Sequence, residues 1–227
     1  MSYILSIDTS DTACSVAIHK EGKLISSLMK KEGRSSAEML TMLIEEVMSK
    51  AQLTYSELSA VAISKGPGSY TGLRIGVSTA KGICYAAGLP LLSVNTLALM
   101  AEMLDTKSLL CPMIDARRME VYCAVFDAYK KEVQPTAAII IEEQSFSDLL
   151  EDHQITFYGS GAAKTQALLK SENAIFEMDI YPDAQYMGSI AFEKYKEGDF
   201  EDLILFEPYY LKEFMGTVPT KNKKVSA

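Results

Sequence analysis

Lys65-Gly66-Pro67-Gly68-Ser69-Tyr70-Thr71-Gly72-Leu73-Arg74-Ile75-Gly76 is the stretch around which the chain is organised. The apolar run Val61-Ala62-Ile63-Ser64 before it reads as a strand, and Leu73 to Ala87 after it reads as a helix, so the stretch is a strand-to-helix turn. Gly66 and Gly68 on either side of Pro67 specify a tight turn, because glycine reaches backbone angles closed to other residues. Ser69 or Thr71 then caps the helix by accepting a hydrogen bond from a free N–H of its first turn. Gly72, Gly76, Thr79, Ala80 and Ala87 follow at three- and four-residue spacings, a strip that another backbone can approach closely. A glycine-rich loop opening a helix can also cradle phosphate. The nucleotide P-loop, however, needs Gly, four residues, then Gly-Lys-Ser/Thr, and counting from Gly66 or Gly68 reaches Thr71 or Leu73 instead. A plain tight turn before a closely packed helix is the competing reading.

Upstream, Tyr3 to Asp8 is an apolar strand ending in a carboxylate, and Ala13 to His19 and Leu24 to Met29 complete a three-stranded meander. Ser35-Ser36-Ala37-Glu38 has capping-box spacing. Met39, Leu40, Leu43, Ile44, Val47 and Ala51 then form a helical apolar stripe that Met42 and Met48 widen. Downstream, Asn95-Thr96 starts a helix through Met103. Leu109 to Asp115 is again an apolar strand ending in Asp, and Met119 to Asp127 again returns. This recurrence of strand, terminal Asp, turn and strand points to a duplicated unit of about a hundred residues, with a boundary between residues 105 and 106. Ala137 to Glu142 supplies a third strand of the second half, and Ser147 to Asp152, Ala162 to Lys170 and Ala184 to Glu197 supply its helices.

The chain has 227 residues, of which 48% are hydrophobic and 23% charged, enough to build a sizeable core in a soluble protein. No apolar stretch reaches the roughly 20 residues that span a bilayer, and the N-terminus runs into a strand without a basic region or cleavage site. The expectation is a cytoplasmic protein with no membrane partner. Cys14, Cys84, Cys111 and Cys123 lack paired spacing and read as buried, reduced packing residues. The net charge of −8 argues against independent tight binding of nucleic acid, and Lys221, Lys223 and Lys224 read as a solvated tail.

GPGSYTGLRIG, Gly66 to Gly76, resembles the signature of the bacterial TsaB family, the non-catalytic paralogue in synthesis of threonylcarbamoyladenosine, a modified nucleoside beside the tRNA anticodon. The similarity extends to Ile4 to Ser10, Ile114 to Tyr122 and Glu207 to Lys212, so it runs over nearly the whole chain and is densest in the first half. It implies an α/β chain with the duplicated RNase H-like, actin-like (ASKHA) fold of actin, sugar kinases and Hsp70-type ATPases, in two lobes, 1–105 and 106–227. It further implies a heterodimer with a TsaD-type catalytic subunit, which transfers the threonylcarbamoyl group from its adenylate to tRNA, and a TsaE-type ATPase in a larger complex, with tRNA reached only indirectly.

In the actin-like fold the terminal Asp of each half supports nucleotide phosphates and their metal, while close backbone N–H and hydroxyl groups hold the phosphate oxygens. Asp8, Thr9 and Ser10 retain that form. Asp115 is followed by Ala116, Arg117, Arg118 and Met119, without the glycine and hydroxyl that would admit a phosphate, so the nucleotide site is expected to be degenerate. No cofactor is expected to bind tightly; weak ATP or ADP with magnesium, mainly in the complex, stays open. His19 and His153 are the chain's two histidines. They cannot build the His-x-x-x-His metal site of TsaD, and no Gly-x-Ser-x-Gly elbow or Ser/His/Asp set is present. No catalytic or metal-binding residue is assigned. The alternative is an ATP-dependent phosphotransferase or ATPase of the same fold, using Asp8 and Asp115 around a metal.

The partner surface expected from the resemblance comprises Met39, Met42, Leu43 and Met48 on the first helix and Gly72, Arg74, Gly76 and Ala80 on the second. The two helices meet their TsaD counterparts in a four-helix contact, and the same surface can pair with itself as a homodimer. On that reading Met42→Asp or Gly76→Arg breaks partner binding in a folded chain. Arg74, Arg117 and Arg118 are either contacts to a partner or anion or ordinary surface ion pairs.

Overall fold

The computed structural model describes residues 1–31 and 37–212. Ser35, Ser36 and the lysines of the tail lie outside those residues. Strands β1 (Tyr3–Asp8), β2 (Cys14–Lys20) and β3 (Lys23–Lys30) form the expected antiparallel meander. Helix α1 (Ala37–Ala51) leads to β4 (Ala60–Gly66), which pairs parallel with β1. Helix α2 (Tyr70–Ala87) leads to β5 (Leu91–Asn95), parallel to β4, and the short α3 (Thr96–Ala101) follows. The first sheet thus has the order β3-β2-β1-β4-β5.

The second half repeats this plan. β6 (Leu109–Asp115), β7 (Glu120–Phe126) and β8 (Glu132–Ile140) form an antiparallel meander. After α4 (Ser147–Asp152), β9 (Ile155–Tyr158) pairs parallel with β6. After α5 (Ala162–Leu168), β10 (Ala174–Glu177) pairs parallel with β9. The order β8-β7-β6-β9-β10 matches the first sheet strand for strand.

Local chemistry explains the elements of the first half. Leu40, Leu43, Ile44, Val47 and Met48 are buried along α1 at helical spacing and face the sheet. Ser69 caps α2, accepting from the Gly72 N–H at 3.3 Å, and Gly88 ends it in the left-handed conformation at φ 66°. Both faces of β1 are buried, as a central strand requires, with Ser6 and Asp8 as its buried polar residues. Leu5 and Ile7, with Val61 and Ile63 of β4, face α1 and α2. Ile4, with Ala60 and Ala62, faces the opposite way, towards α6 (Gly188–Glu197), where Met187 and Ala191 pack.

Helix α3 is the wedge between the halves. Its Leu99 packs with the first sheet, while Leu97, Met100 and Ala101 pack against Leu110, Ile114, Phe126 and Tyr158 of the second. The first sheet ends at Asn95 and the second begins at Leu109, yet α6, late in the sequence, returns to the first sheet. A buried His19 fixes that return. Its Nε2–H donates to the Gln185 carbonyl at 3.0 Å, which leaves Nδ1 to accept from the Ser6 hydroxyl, also at 3.0 Å. All four cysteines are buried and free, and among the described residues no helix is long and apolar enough to cross a membrane.

Candidate functional site

The parallel strands β1, β4 and β5 end on the same side, where open α/β sheets bind ligands. Asp8 stands there at the end of β1, fully buried. It accepts from the Ser10 hydroxyl at 2.9 Å and from the Ser10 N–H at 3.2 Å. Burial pushes its carboxyl up to about 6, with hydrogen bonds from neighbouring hydroxyls pulling the other way.

Thr9 and Ser10 are equally enclosed. The Thr9 hydroxyl donates to the Gly72 carbonyl at 2.8 Å, and the Ser69 N–H donates to the Ser10 carbonyl at 2.6 Å. The glycines of the opening stretch make this approach possible. A Cβ at Gly68 would lie 2.2 Å from the Ser10 carbonyl oxygen, one at Gly72 2.0 Å from that of Thr9, and one at Gly76 2.2 Å from Thr9 Oγ1. The backbone that approaches the strip is therefore the chain's own β1–β2 turn.

Burial in the single chain divides the expected partner residues. Gly72, Gly76 and Ala80 face inward, and Leu43 and Met48 lie in the core, 2% and 5% exposed. Met48 packs in the same core cluster as Val47 and Ile44. Met39 is half-buried against the same core, and Met42 is 53% exposed. Arg74 is exposed but engaged: its guanidinium sits 4.1 Å over the Tyr70 ring and its Nε donates to the Tyr210 hydroxyl at 3.3 Å. Tyr210 itself packs on Tyr70, ring centres 4.8 Å apart. The segment around it straps the front of α2, where Lys81 donates to the Ile204 and Phe206 carbonyls and the Tyr209 N–H donates to the Lys65 carbonyl.

The outward face of α2 carries a second small-residue strip, Ser78, Gly82 and Ala86, at four-residue spacing, with Tyr85 84% exposed beside it. Among the described residues, a Cβ at Gly82 would meet nothing within 4 Å. Helix α1 packs against the same side of the sheet as α2, and its Met42 is exposed. The inward strip has larger, more frequent glycine signals and drew the sequence reading away from this one.

At the end of β6, Asp115 is exposed but paired. Lys164 Nζ lies 2.5 Å from its Oδ1 and donates as well to the Arg118 and Glu120 carbonyls, at 2.9 and 2.5 Å. The Arg117 N–H donates to the same carboxylate at 2.7 Å, and Arg117 and Arg118 both have positive φ, 68° and 52°. The Asp115 N–H donates to Ser160 Oγ at 3.1 Å, and the Ser160 hydroxyl donates across to Asp11 Oδ2 in the first half at 2.6 Å. Lys164 and Ser160 went unread in the sequence. Their signal is Gly159-Ser160-Gly161 before α5, the counterpart of Gly66-Pro67-Gly68-Ser69 before α2.

A metal-bound nucleotide does not fit these residues. One strand-end carboxylate, Asp8, is fully buried, and the other, Asp115, carries an ammonium. Among the described residues no three His, Cys, Asp or Glu side chains gather as a metal site.

Comparison with known proteins agrees with the fold. The family model described as TsaD, tRNA N6-adenosine threonylcarbamoyltransferase, matches residues 30–192. A tRNA threonylcarbamoyladenosine biosynthesis protein TsaB of Haemophilus influenzae is 29% identical, with 92% of this chain and 93% of that one covered. The solved structure of YeaZ from Pseudomonas aeruginosa superposes with a TM-score of 0.79 at 26% identity, over 93% of this chain and all of that one. An activator of 2-hydroxyisocaproyl-CoA dehydratase from Clostridium difficile, at 10% identity and TM-score 0.52, shares the fold over 87% of this chain and 96% of that one. The molecule is a duplicated α/β protein of the actin-like class. It belongs to the TsaD family and, within it, to the TsaB proteins of tRNA threonylcarbamoyladenosine biosynthesis.

Proposed function

We propose that this chain is a non-catalytic subunit of the threonylcarbamoyl transferase complex, working in the cytoplasm, and that it binds and stabilises a TsaD-type catalytic subunit through the outer faces of α1 and α2. The observation that carries this reading is Gly82. A glycine inside an exposed helix costs roughly 0.8–1.0 kcal/mol relative to alanine, and among the described residues nothing lies within 4 Å of the Cβ that alanine would add. With Ser78 and Ala86 it makes a shallow track for a second helix, and Met42 and Tyr85 supply adaptable apolar cover. A homodimer over the same face is the self-paired form of this contact. A TsaE-type ATPase joins the assembled pair, and tRNA is held by the partner.

The non-catalytic role is supported by the enclosure of Asp8 and the pairing of Asp115. The test is reconstituted tRNA modification with the TsaD-type and TsaE-type proteins of the same organism. Asp8→Asn and Asp115→Asn chains should sustain the wild-type rate, whereas Met42→Asp combined with Gly82→Arg should abolish it. Loss of modification with Asp115→Asn, in a chain that still binds the partner, would overturn the non-catalytic role.

A further inference from the structure

We propose that the Lys164 ammonium is a built-in counter-cation, standing at the end of β6 where the fold would otherwise place a divalent ion and closing the turn after Asp115 without metal or nucleotide. An ammonium has three N–H donors and no acceptor. Here three oxygens, from Asp115, Arg118 and Glu120, lie 2.5 to 2.9 Å from it, one for each donor.

The position is not one where lysine settles by default. Lys164 is the third residue of α5, in the first turn, where the positive end of the helix dipole disfavours a cation. A long side chain there ordinarily extends its charge into water. This one is only 17% exposed and turns back onto a strand end. Asp115 Oδ1 is shared with the Arg117 N–H, so while the ammonium is in place that oxygen is already committed and a cation that demands near-octahedral oxygens has to displace it. Through Ser160 the same network reaches Asp11 in the first half. The Ser160 hydroxyl ties the end of β6 to the first half, while Lys164 holds the turn after Asp115 within the second.

Thermal unfolding and manganese binding by electron paramagnetic resonance test this on the full chain. Wild type should bind no Mn²⁺ at millimolar concentration, and its midpoint should not move with Mg²⁺ or Mg²⁺-ATP. Lys164→Ala should unfold about 2–4 °C lower, acquire Mn²⁺ binding, and regain its midpoint with millimolar divalent cation but not with sodium chloride of equal ionic strength. If Lys164→Ala does not fold, Lys164→Gln, which keeps two N–H donors, should show the same gain of Mn²⁺ binding. A wild-type response to Mg²⁺ or Mg²⁺-ATP, an unchanged variant midpoint, or a drop that divalent cations do not restore would each overturn the proposal.

Discussion

Asp8 is fully buried beside Ser10, which the glycine turn packs against, and the consequence is a pH dependence of stability. Its folded value of about 6 lies above the ordinary 3.8, so the folded chain keeps a proton that the unfolded chain releases. The stability from this group is full below pH 3.8 and is lost as pH rises through about 6; a shift of about two units corresponds to about 3 kcal/mol. Asp183, raised by burial, has the same sign. His19 has the opposite one: burial lowers it from 6.5, so its contribution is present above 6.5 and is lost as pH falls. Asp8→Asn should therefore flatten the stability profile between pH 4 and 6 relative to wild type, as read from denaturant melts across that range. An unchanged difference across the window would mean that Asp8 is ionised in the folded chain. The carboxylate's place at the end of β1 is legible in the sequence, because an apolar run stopped by Asp is a local pattern. Its enclosure is not, since that depends on a helix more than sixty residues later.

Helix α2 has two glycine-bearing faces with opposite purposes, and substitution separates them. Gly72→Ala places a methyl 2.0 Å from a backbone oxygen, an overpacking that costs typically 1–3 kcal/mol, and should lower the thermal midpoint. Gly76→Arg, which the sequence casts as a clean interface variant, instead drives a long side chain into Thr9 and should prevent folding. Gly82→Ala fills open space and should raise the stability of the isolated chain by about 0.5–1 kcal/mol while weakening the partner complex, as read by calorimetry of both. A Gly82→Ala chain that loses stability would mean that the outer strip serves the monomer. The end of α2 at Ala87 and Ser69 as one of two candidate caps are readable in the sequence, but the helix begins at Tyr70, three residues before the expected Leu73. Which strip faces the core is decided by the β1–β2 turn, and helical periodicity alone does not choose between them.

The whole molecule repeats one plan, and the repeat shows in the sequence through its meanders: β1 with β2, and β6 with β7, each pair hinged after an Asp. The parallel strands are harder to read. β9 and β10 are four residues each, too short for alternation to declare itself, and β5 passes as the end of a helix-to-helix link. The return of α6 to the first sheet depends on His19 and on Gly188, where a Cβ would lie 2.4 Å from the His19 ring. Gly188→Ala should therefore loosen the first half although it lies late in the chain, as amide exchange in β1 and β2 would register. The central claim, that this is a docking subunit whose contact face is the outer side of α1 and α2, is tested most directly by light scattering on a sizing column with the TsaD-type protein of the same organism. The account predicts that the wild-type chain co-elutes with it one to one and that Gly82→Arg, folded by circular dichroism, elutes without it; a wild-type chain that elutes apart, or a Gly82→Arg chain that still co-elutes, contradicts it.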